Sequence, residues 1–207
     1  MITLYGMTSP NVVKIFIALE EMGLPYKVQP VDVFAGEQFR ADLTRLNPNA
    51  KVPVIVDEEG PGGGPYTVFE SGAILLYLAE KSGKLLPQDK AARYDVIQWM
   101  MVQMTGVGPM FGQYVHFWRF AREGNDYAYS RYRTQALRVC DVIEDRLSSQ
   151  PWLAGGEYSI ADVATYPWVG RHDGHNVKLE EFPNVRRWFD MISQRPAVKR
   201  GMAVPKI

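Results

Sequence analysis

The pattern of apolar residues changes type once along the chain, close to residue 82. Before that point, short runs of β-branched and aromatic residues alternate with segments whose apolar residues recur at helical spacing. Beyond it, the clear patterns are helical. A chain of 207 residues can form one large domain or two small ones, and this change of pattern favours two in tandem. We expect residues 1–81 to form an α/β domain, 82–90 a linker and 91–207 an all-helical domain.

Within residues 1–81, the predicted elements follow the order β-α-β-α-β-β-α, which is typical of a thioredoxin-like sheet. Ser9-Pro10 opens the first helix, since serine is a favoured N-cap and proline fits the first helical position. We expect Ser71 to cap the last helix of this part, over 72–81. The predicted strands run over 2–5, 26–33, 52–56 and 66–69, and a short helix over 41–46.

The second part is predicted to be a bundle of helices. Gly106-Val-Gly-Pro109 is expected to break or kink the first of them, because glycine and proline disfavour the interior of a helix. Ser159-Ile-Ala-Asp162 has the form of a capping box, which marks the start of a helix. The predicted helices run over 93–105, 126–147 and 163–168, and from Pro183 to near Pro196.

Composition and charge argue against several classes of function. The 23 Lys and Arg balance the 23 Asp and Glu, which argues against an obligate nucleic-acid partner. There is no run of about 18 apolar residues that would suggest a membrane span, and the N-terminus lacks a basic, signal-like segment, so we expect a cytoplasmic protein. The one cysteine, Cys140, excludes an internal disulfide and a cysteine-based zinc site. It lies on a predicted helix face, where a buried cysteine usually acts as a small apolar residue.

Three segments, in the same order, resemble the glutathione transferase superfamily. They are Asn49-Ala-Lys-Val-Pro-Val-Ile-Val-Asp57, Phe69-Glu-Ser-Gly-Ala-Ile-Leu-Leu-Tyr-Leu-Ala79 and Gly156-Glu-Tyr-Ser-Ile-Ala-Asp162. Three further segments resemble the Nu class of that superfamily: Thr8-Ser-Pro-Asn11, Gly36-Glu-Gln-Phe-Arg40 and Gly106-Val-Gly-Pro-Met110. The resemblance covers essentially the whole chain. It implies an α/β plus all-α architecture, with a thioredoxin-like domain followed by a helical bundle, and a homodimer.

Glutathione is the ligand that this resemblance implies, and Glu70-Ser71 suits two of its groups. Ser71 stands at a helix start, where backbone amides and the helix dipole favour an anion such as the γ-glutamyl carboxylate. Glu70 can pair with the α-amine of the same ligand. The alternative is an ordinary helix cap beside a surface acid.

The resemblance implies further residues that bind glutathione. In thioredoxin-like folds the proline at this position follows a cis peptide bond, so the resemblance implies a cis Val52-Pro53 bond. Val52 would then pair with the cysteinyl amide of glutathione as an added strand does. Gln38 and Lys51 would approach the glycine end, where Lys51 can act as a point cation. Arg131 resembles the family arginine that reaches bound glutathione or its disulfide. For Gln38, Lys51 and Arg131, the alternative is a polar surface residue.

The group that holds the thiol decides the chemistry. Thr8-Ser-Pro-Asn11 lacks the cysteine that glutaredoxins place at a helix N-terminus, so the nucleophile would be the thiol of glutathione itself. The Ser9 hydroxyl could accept a capping bond and still donate to a thiolate, and the Asn11 amide could donate as well. The family usually has threonine where this chain has Ser9, and both residues could instead simply begin a helix. Other transferase classes use an N-terminal tyrosine as thiolate donor; we assign Tyr5 to a strand, and the alternative is that it contributes to catalysis.

The function implied by the resemblance is glutathione-dependent disulfide-bond oxidoreduction with low conjugating activity. A bound glutathione thiolate attacks a small disulfide, and a second glutathione resolves the mixed disulfide to release glutathione disulfide. One alternative is a transferase or isomerase that acts on electrophiles, and another is a non-catalytic, glutathione-binding or dimerising scaffold. We expect no metal, because His172 and His175 lack a further ligand nearby in sequence. Candidates for the acceptor pocket in the helical domain are Met104, Met110, Phe111, Tyr114, Phe117 and Trp118.

Overall fold

The computed structural model describes residues 1–204, and the chain divides into two compact units. The first contains Met1–Leu86 together with residues 195–204, and the second contains Pro87–Gln194. None of the helices within residues 1–204 combines the length and the apolar character needed to cross a membrane.

The first unit is built on a sheet of four strands in the order β2-β1-β3-β4. β1 pairs in parallel with β2, while β1 with β3 and β3 with β4 are antiparallel. The sheet is mixed, and together with its helices it confirms the thioredoxin-like fold class expected for the α/β part. The elements are β1 Ile2–Gly6, α1 Pro10–Met22, β2 Tyr26–Pro30, α2 Ala41–Leu46, β3 Val54–Asp57, β4 Tyr66–Phe69, α3 Ser71–Ser82 and, from the end of the chain, α9 Pro196–Met202.

Helix α1 is enclosed by protein over most of its circumference. Pro10 occupies its first turn, and Gly23 ends it in the left-handed conformation with φ 70°. Every residue from Val12 to Leu19 is buried, because α1 packs against both α3 and α9. All of these buried residues are apolar except Lys14.

The last helix differs from the sequence expectation, which placed residues 91–207 in one helical domain. In the structure α9 lies in the first unit and packs on α1. A Cβ at Gly201 would lie only 2.8 Å from the backbone N of Ile17, so glycine allows this close approach. Arg195 forms a bidentate ion pair with Glu21, in which its Nε and Nη2 lie 2.6 and 2.9 Å from the two carboxylate oxygens. A helical period shows which face is apolar, but not which neighbour it covers.

The second unit is helical, as predicted. Its helix α4 follows α3 after residues 83–89. The expected break at 106–109 is absent from this described stretch, because Gly106 falls in a π-helical segment, Gln103–Val107, that runs on into the next helix; the alternative, a kink, stays a prediction. The predicted capping box at Ser159 and Asp162 is present. The elements are α4 Lys90–Val102, α5 Gly108–Val115, a second π-helical segment His116–Phe120, α6 Asp126–Ser149, α7 Ile160–Val169 and α8 Pro183–Ser193.

Candidate functional site

A cavity of about 140 Å³ lies in the first unit, at one edge of the sheet. Five of the residues that the sequence singled out meet there: Asn11, Lys51, Val52, Glu70 and Ser71. Asn47 and Pro53 complete the lining.

The strand register explains why segments far apart in sequence meet at this edge. Tyr5 near the end of β1 pairs with Val54 at the start of β3, and Val54 pairs with Phe69 at the end of β4. The chain that leaves β1, the chain that enters β3 and the chain that leaves β4 therefore lie side by side. They carry Asn11, the Val52–Pro53 bond and Glu70-Ser71, respectively. The Val52–Pro53 peptide is cis, as the family resemblance implies.

Glu70 and Ser71 form the start of α3, which begins one residue earlier than expected. The N-cap is Glu70, at φ 67° and ψ 118°, and its carbonyl accepts the amide of Ile74 at 2.9 Å. Ser71 is the first helical residue rather than the cap. The left-handed φ of a non-glycine residue is an uncommon conformation that occurs preferentially at functional sites. Nδ2 of Asn49 lies 3.5 Å from Oε1 of Glu70.

Lys14 bonds to a residue of the cavity lining, and sequence reasoning missed it. It is 0% exposed, and its Nζ donates to Oγ of Ser71 at 3.1 Å. Burial lowers the pKa of Lys14 to about 7, against the opposing effect of the negative charge of Glu70. The available signal was a single lysine within the apolar run 12–19 of this helix, since a charged side chain is rarely buried without a partner.

Asn47 was also missed, and it shapes the loop that leads into β3. Its side chain is 2% exposed, its Nδ2 donates to the carbonyl of Lys51 at 2.8 Å, and its Oδ1 accepts the amide of Asn49 at 2.9 Å. These bonds hold the loop that carries Lys51 and Val52 against the cavity. The Asn-Pro-Asn run at 47–49 was the sequence signal, because asparagine side chains commonly bond to their own turns.

Of the two residues proposed to hold the thiol, Asn11 lines the cavity and Ser9 is not among the lining residues. Ser9 is the N-cap of α1, but its side chain makes no capping bond, contrary to our expectation. Its carbonyl instead accepts the amides of Val12 and Val13, at 3.0 and 2.8 Å. Tyr5 belongs to β1, as predicted, and is also not among the lining residues.

Two predicted ligands lie outside this cavity lining. Gln38 is half-buried in a 3-10 turn, Glu37–Phe39, and within residues 1–204 its Oε1 is buried without a hydrogen-bond partner. Arg131 is exposed on α6, in the second unit.

The thiol of the protein itself lies in the second unit. Cys140 is buried on α6, and burial raises the pKa of its thiol to about 12, which disfavours the reactive thiolate.

In the same unit His175 is buried and stacks on Phe111, and burial lowers the pKa of His175 to about 4. Over the described part of the chain, no three His, Cys, Asp or Glu side chains are grouped so as to hold a metal ion. Of the acceptor-pocket candidates, Phe111 and Tyr114 are buried.

Comparison with known proteins extends this description to the whole chain. Residues 8–81 match the family of the glutathione S-transferase N-terminal domain, and residues 99–196 match that of the C-terminal domain. The chain is 43% identical over 203 residues to the disulfide-bond oxidoreductase YfcG of Escherichia coli, which covers 98% of this chain and 94% of that protein.

Solved structures agree in fold. A glutathione transferase from Burkholderia graminis, with two glutathione molecules bound per subunit, has a TM-score of 0.93 at 47% identity, covering 99% of this chain and 88% of that one. A glutathione transferase from Pseudomonas putida, with one glutathione disulfide bound per subunit, has a TM-score of 0.93 at 42% identity, covering 99% and 91%. Both domain families, the sheet order and the fold of these structures agree, and the chain belongs to the glutathione transferase superfamily.

Proposed function

We propose that this protein is a glutathione-dependent disulfide-bond oxidoreductase with low conjugating activity, in which the thiolate of bound glutathione is the nucleophile. The observation that carries the proposal is the cavity, which is lined both by Asn11 at the start of α1 and by Glu70-Ser71 at the start of α3. No cysteine lines it, and the one cysteine is buried on α6. Thiol–disulfide chemistry is also supported by the similarity to YfcG, a disulfide-bond oxidoreductase, and by the glutathione disulfide bound in the Pseudomonas putida structure.

The cavity suits the polar groups of glutathione. In our proposal Ser71 binds the γ-glutamyl carboxylate, because a helix start favours an anion, and Glu70 pairs with the α-amine. The backbone of Val52 lies just outside the paired residues of β3, where it can bind the cysteinyl part as an added strand does. Lys51 at the cavity and Gln38 are assigned to the glycine carboxylate. Arg131 stays a prediction from the family resemblance.

The thiol end belongs to Asn11 and Ser9 at the start of α1. A free thiol has a pKa of about 8.5, and lowering it by about two units favours the thiolate by roughly 2.7 kcal/mol. Donated hydrogen bonds to the charged sulfur, together with the helix dipole, are of that order. Because the Ser9 hydroxyl makes no capping bond, the helix does not compete for it as an acceptor.

The proposed reaction consumes two glutathione molecules for each disulfide. The bound thiolate attacks one sulfur of the substrate disulfide, so that a mixed disulfide forms and the other half leaves as a thiolate that takes a proton. The thiolate of a second glutathione attacks the glutathione sulfur of the mixed disulfide. Glutathione disulfide and the second substrate thiol are released, and the electrons gained by the substrate come from the two glutathione thiols.

Class, assembly and location complete the proposal. The Thr8-Ser-Pro-Asn11 and Gly36-Glu-Gln-Phe-Arg40 segments support membership of the Nu class. A homodimer is implied by the family resemblance. A cytoplasmic location agrees with the need for reduced glutathione, which that compartment maintains. The second unit is assigned to the acceptor substrate, a small disulfide or electrophile.

Reduction of hydroxyethyl disulfide by glutathione, coupled to glutathione reductase, tests the proposal. We expect turnover that depends on glutathione and that survives removal of Cys140. Strong conjugation of an aryl halide without disulfide turnover would instead favour a transferase that acts on electrophiles. Failure to bind glutathione in calorimetry would leave the scaffold alternative.

A further inference from the structure

Lys14 has a position that the packing of α1 does not require. Its neighbours in the helix, Val13 and Ile15, are buried and apolar, and a methionine or leucine would fill similar space without the cost of burying an ammonium. Yet the ammonium ends 3.1 Å from the hydroxyl oxygen of Ser71, which lines the cavity. Lys14 itself is not among the residues that line the cavity, and its hydrogen bond to Ser71 links it to one that does.

The chemistry of the two groups sets the direction of this hydrogen bond. An ammonium has donors and no acceptor, so the Ser71 oxygen must accept while Lys14 is protonated. The hydroxyl hydrogen of Ser71 then points away from Lys14. A hydroxyl that accepts from a cation is polarised, and it donates a stronger bond to an anion.

We propose that Lys14 is a positioning residue for the carboxylate at the start of α3: it orients and polarises the Ser71 hydroxyl, and carboxylate binding draws a proton onto Lys14. This inference rests on the proposed glutathione site. It adds that the buried ammonium of Lys14 balances the negative charge of the bound carboxylate. Binding is thereby coupled to proton uptake, although Lys14 does not touch the ligand.

The charges around Lys14 allow this coupling. The helices packed on α1 carry several charged groups: Glu70 at the start of α3, Glu80 and Lys81 near its end, and Lys199 and Arg200 on α9. Glu70 is the charge that acts on Lys14, and it favours the ammonium. Burial opposes it and dominates, which lowers the pKa of Lys14 to about 7. Slightly above neutral pH the lysine is therefore mostly neutral, and a second carboxylate nearby would restore the ammonium.

Calorimetric titration with S-methylglutathione tests the coupling, because this probe keeps both carboxylates and has no thiol proton to release. The binding heat is measured at pH 7.5 in phosphate, HEPES and Tris, and its dependence on the heat of buffer ionisation gives the number of protons exchanged. For the wild-type protein we expect an uptake of roughly half a proton per ligand bound.

Three variants separate the role of Lys14 from that of any other cation. Lys14→Met removes the charge at similar volume; we expect no uptake, and an affinity at pH 6.5 weaker by roughly tenfold to hundredfold. The two affinities should converge near pH 9, where the wild-type lysine is also neutral. Lys14→Arg keeps a permanent charge, so binding should be retained without uptake. Lys51→Met is the matched control: it should weaken binding and leave the proton uptake unchanged.

The outcomes distinguish this inference from the proposed function. Binding of S-methylglutathione without proton uptake by the wild-type protein, or unchanged affinity of Lys14→Met at pH 6.5, overturns the role of Lys14 alone. An absence of binding by the wild-type protein overturns the proposed function and this inference with it. If Lys14→Met fails to fold by circular dichroism, the wild-type uptake and the Lys14→Arg variant still decide the question.

Discussion

Nε1 of Trp188 donates a 2.8 Å hydrogen bond to Oδ1 of Asp162, and both residues are 0% exposed. The same carboxylate accepts the amides of Leu153 and Ser159, each at 3.0 Å, and the Ser159 hydroxyl at 3.2 Å. Burial raises the pKa of Asp162, and these donors act in the opposite direction by favouring the charged form. One side chain therefore joins α8, the start of α7 and the preceding loop.

Asp162→Ala should destabilise the second unit more than the loss of a helix cap does. A capping residue contributes about 1 kcal/mol, whereas Asp162→Ala also leaves buried donors without an acceptor, so we expect a loss of about 3 kcal/mol or more. Urea denaturation measures it. The matched control is Asp190→Ala, because Asp190 is exposed on α8 and pairs there with Arg186. We expect this substitution to change the free energy of unfolding by less than about 0.5 kcal/mol. A loss of under about 1 kcal/mol for Asp162→Ala would contradict the assignment.

Asn11→Ala should impair turnover more than it weakens glutathione binding. If its amide donates to the thiolate, its removal should raise the thiol pKa of bound glutathione by about one unit and lower the rate at neutral pH roughly tenfold. Thiolate absorbance followed against pH measures the first effect, and the coupled disulfide assay measures the second. Asn125→Ala, at the start of α6 in the second unit, should change neither. An unchanged thiol pKa in Asn11→Ala would remove Asn11 from the thiol site.

Ser9→Ala should separate catalysis from folding. A serine N-cap usually contributes about 1 kcal/mol, but Ser9 makes no capping bond, so we expect a stability change below about 0.5 kcal/mol. Turnover should fall nevertheless, because the hydroxyl is assigned to the thiolate, and Ser9→Thr should restore it. Thermal melts and the disulfide assay provide the two measurements. Full activity in Ser9→Ala would contradict the assignment.

Removal of Lys14 should change how stability depends on pH. The pKa of a lysine side chain is ordinarily 10.5, and that of Lys14 is about 7 in the folded protein, so between these pH values the unfolded chain binds more protons than the folded one. Stability due to this group therefore rises with pH above 7. From pH 7.0 to 8.5 the wild-type protein should gain roughly 1–2 kcal/mol relative to Lys14→Met. Urea denaturation at both pH values gives the difference, and parallel changes in the two proteins would show that Lys14 is not buried as described.

Cys140 adds an opposite pH dependence of stability above pH 9, but it does so in both proteins and therefore cancels from their difference. Burial raises the pKa of Cys140 from 9.0 to about 12, so above pH 9 the unfolded thiol ionises while the folded one stays protonated. That group then lowers stability as pH rises, in opposition to Lys14.

Cys140→Ala should leave disulfide turnover intact. Its thiol is buried on α6 and its raised pKa keeps it protonated at neutral pH, so it is a poor nucleophile. Steady-state rates with hydroxyethyl disulfide, together with a circular dichroism spectrum, check this. A folded variant without turnover would show that the nucleophile is the protein's own sulfur.

Several elements could be predicted from local patterns. The bounds of α2 and β4 agree with the predicted ranges, and the capping box at Ser159 is present. The order of strands also led to the right sheet, whose register brings Asn11, Val52 and Ser71 to one cavity. The cap of α3 was misplaced by one residue, since nothing in a glutamate signals the positive φ of Glu70.

By itself, the sequence determined the two classes of structure in tandem, the order of their elements and the residue types available to a glutathione site. These depend on periodicity and turn chemistry, which act over a few neighbouring residues. Only the tertiary structure decided that α9 packs on α1, that Asn47 braces the loop at Lys51 and that Lys14 meets Ser71, 57 positions away. The pKa of a buried lysine depends on what surrounds it in space, and a linear pattern does not contain that information.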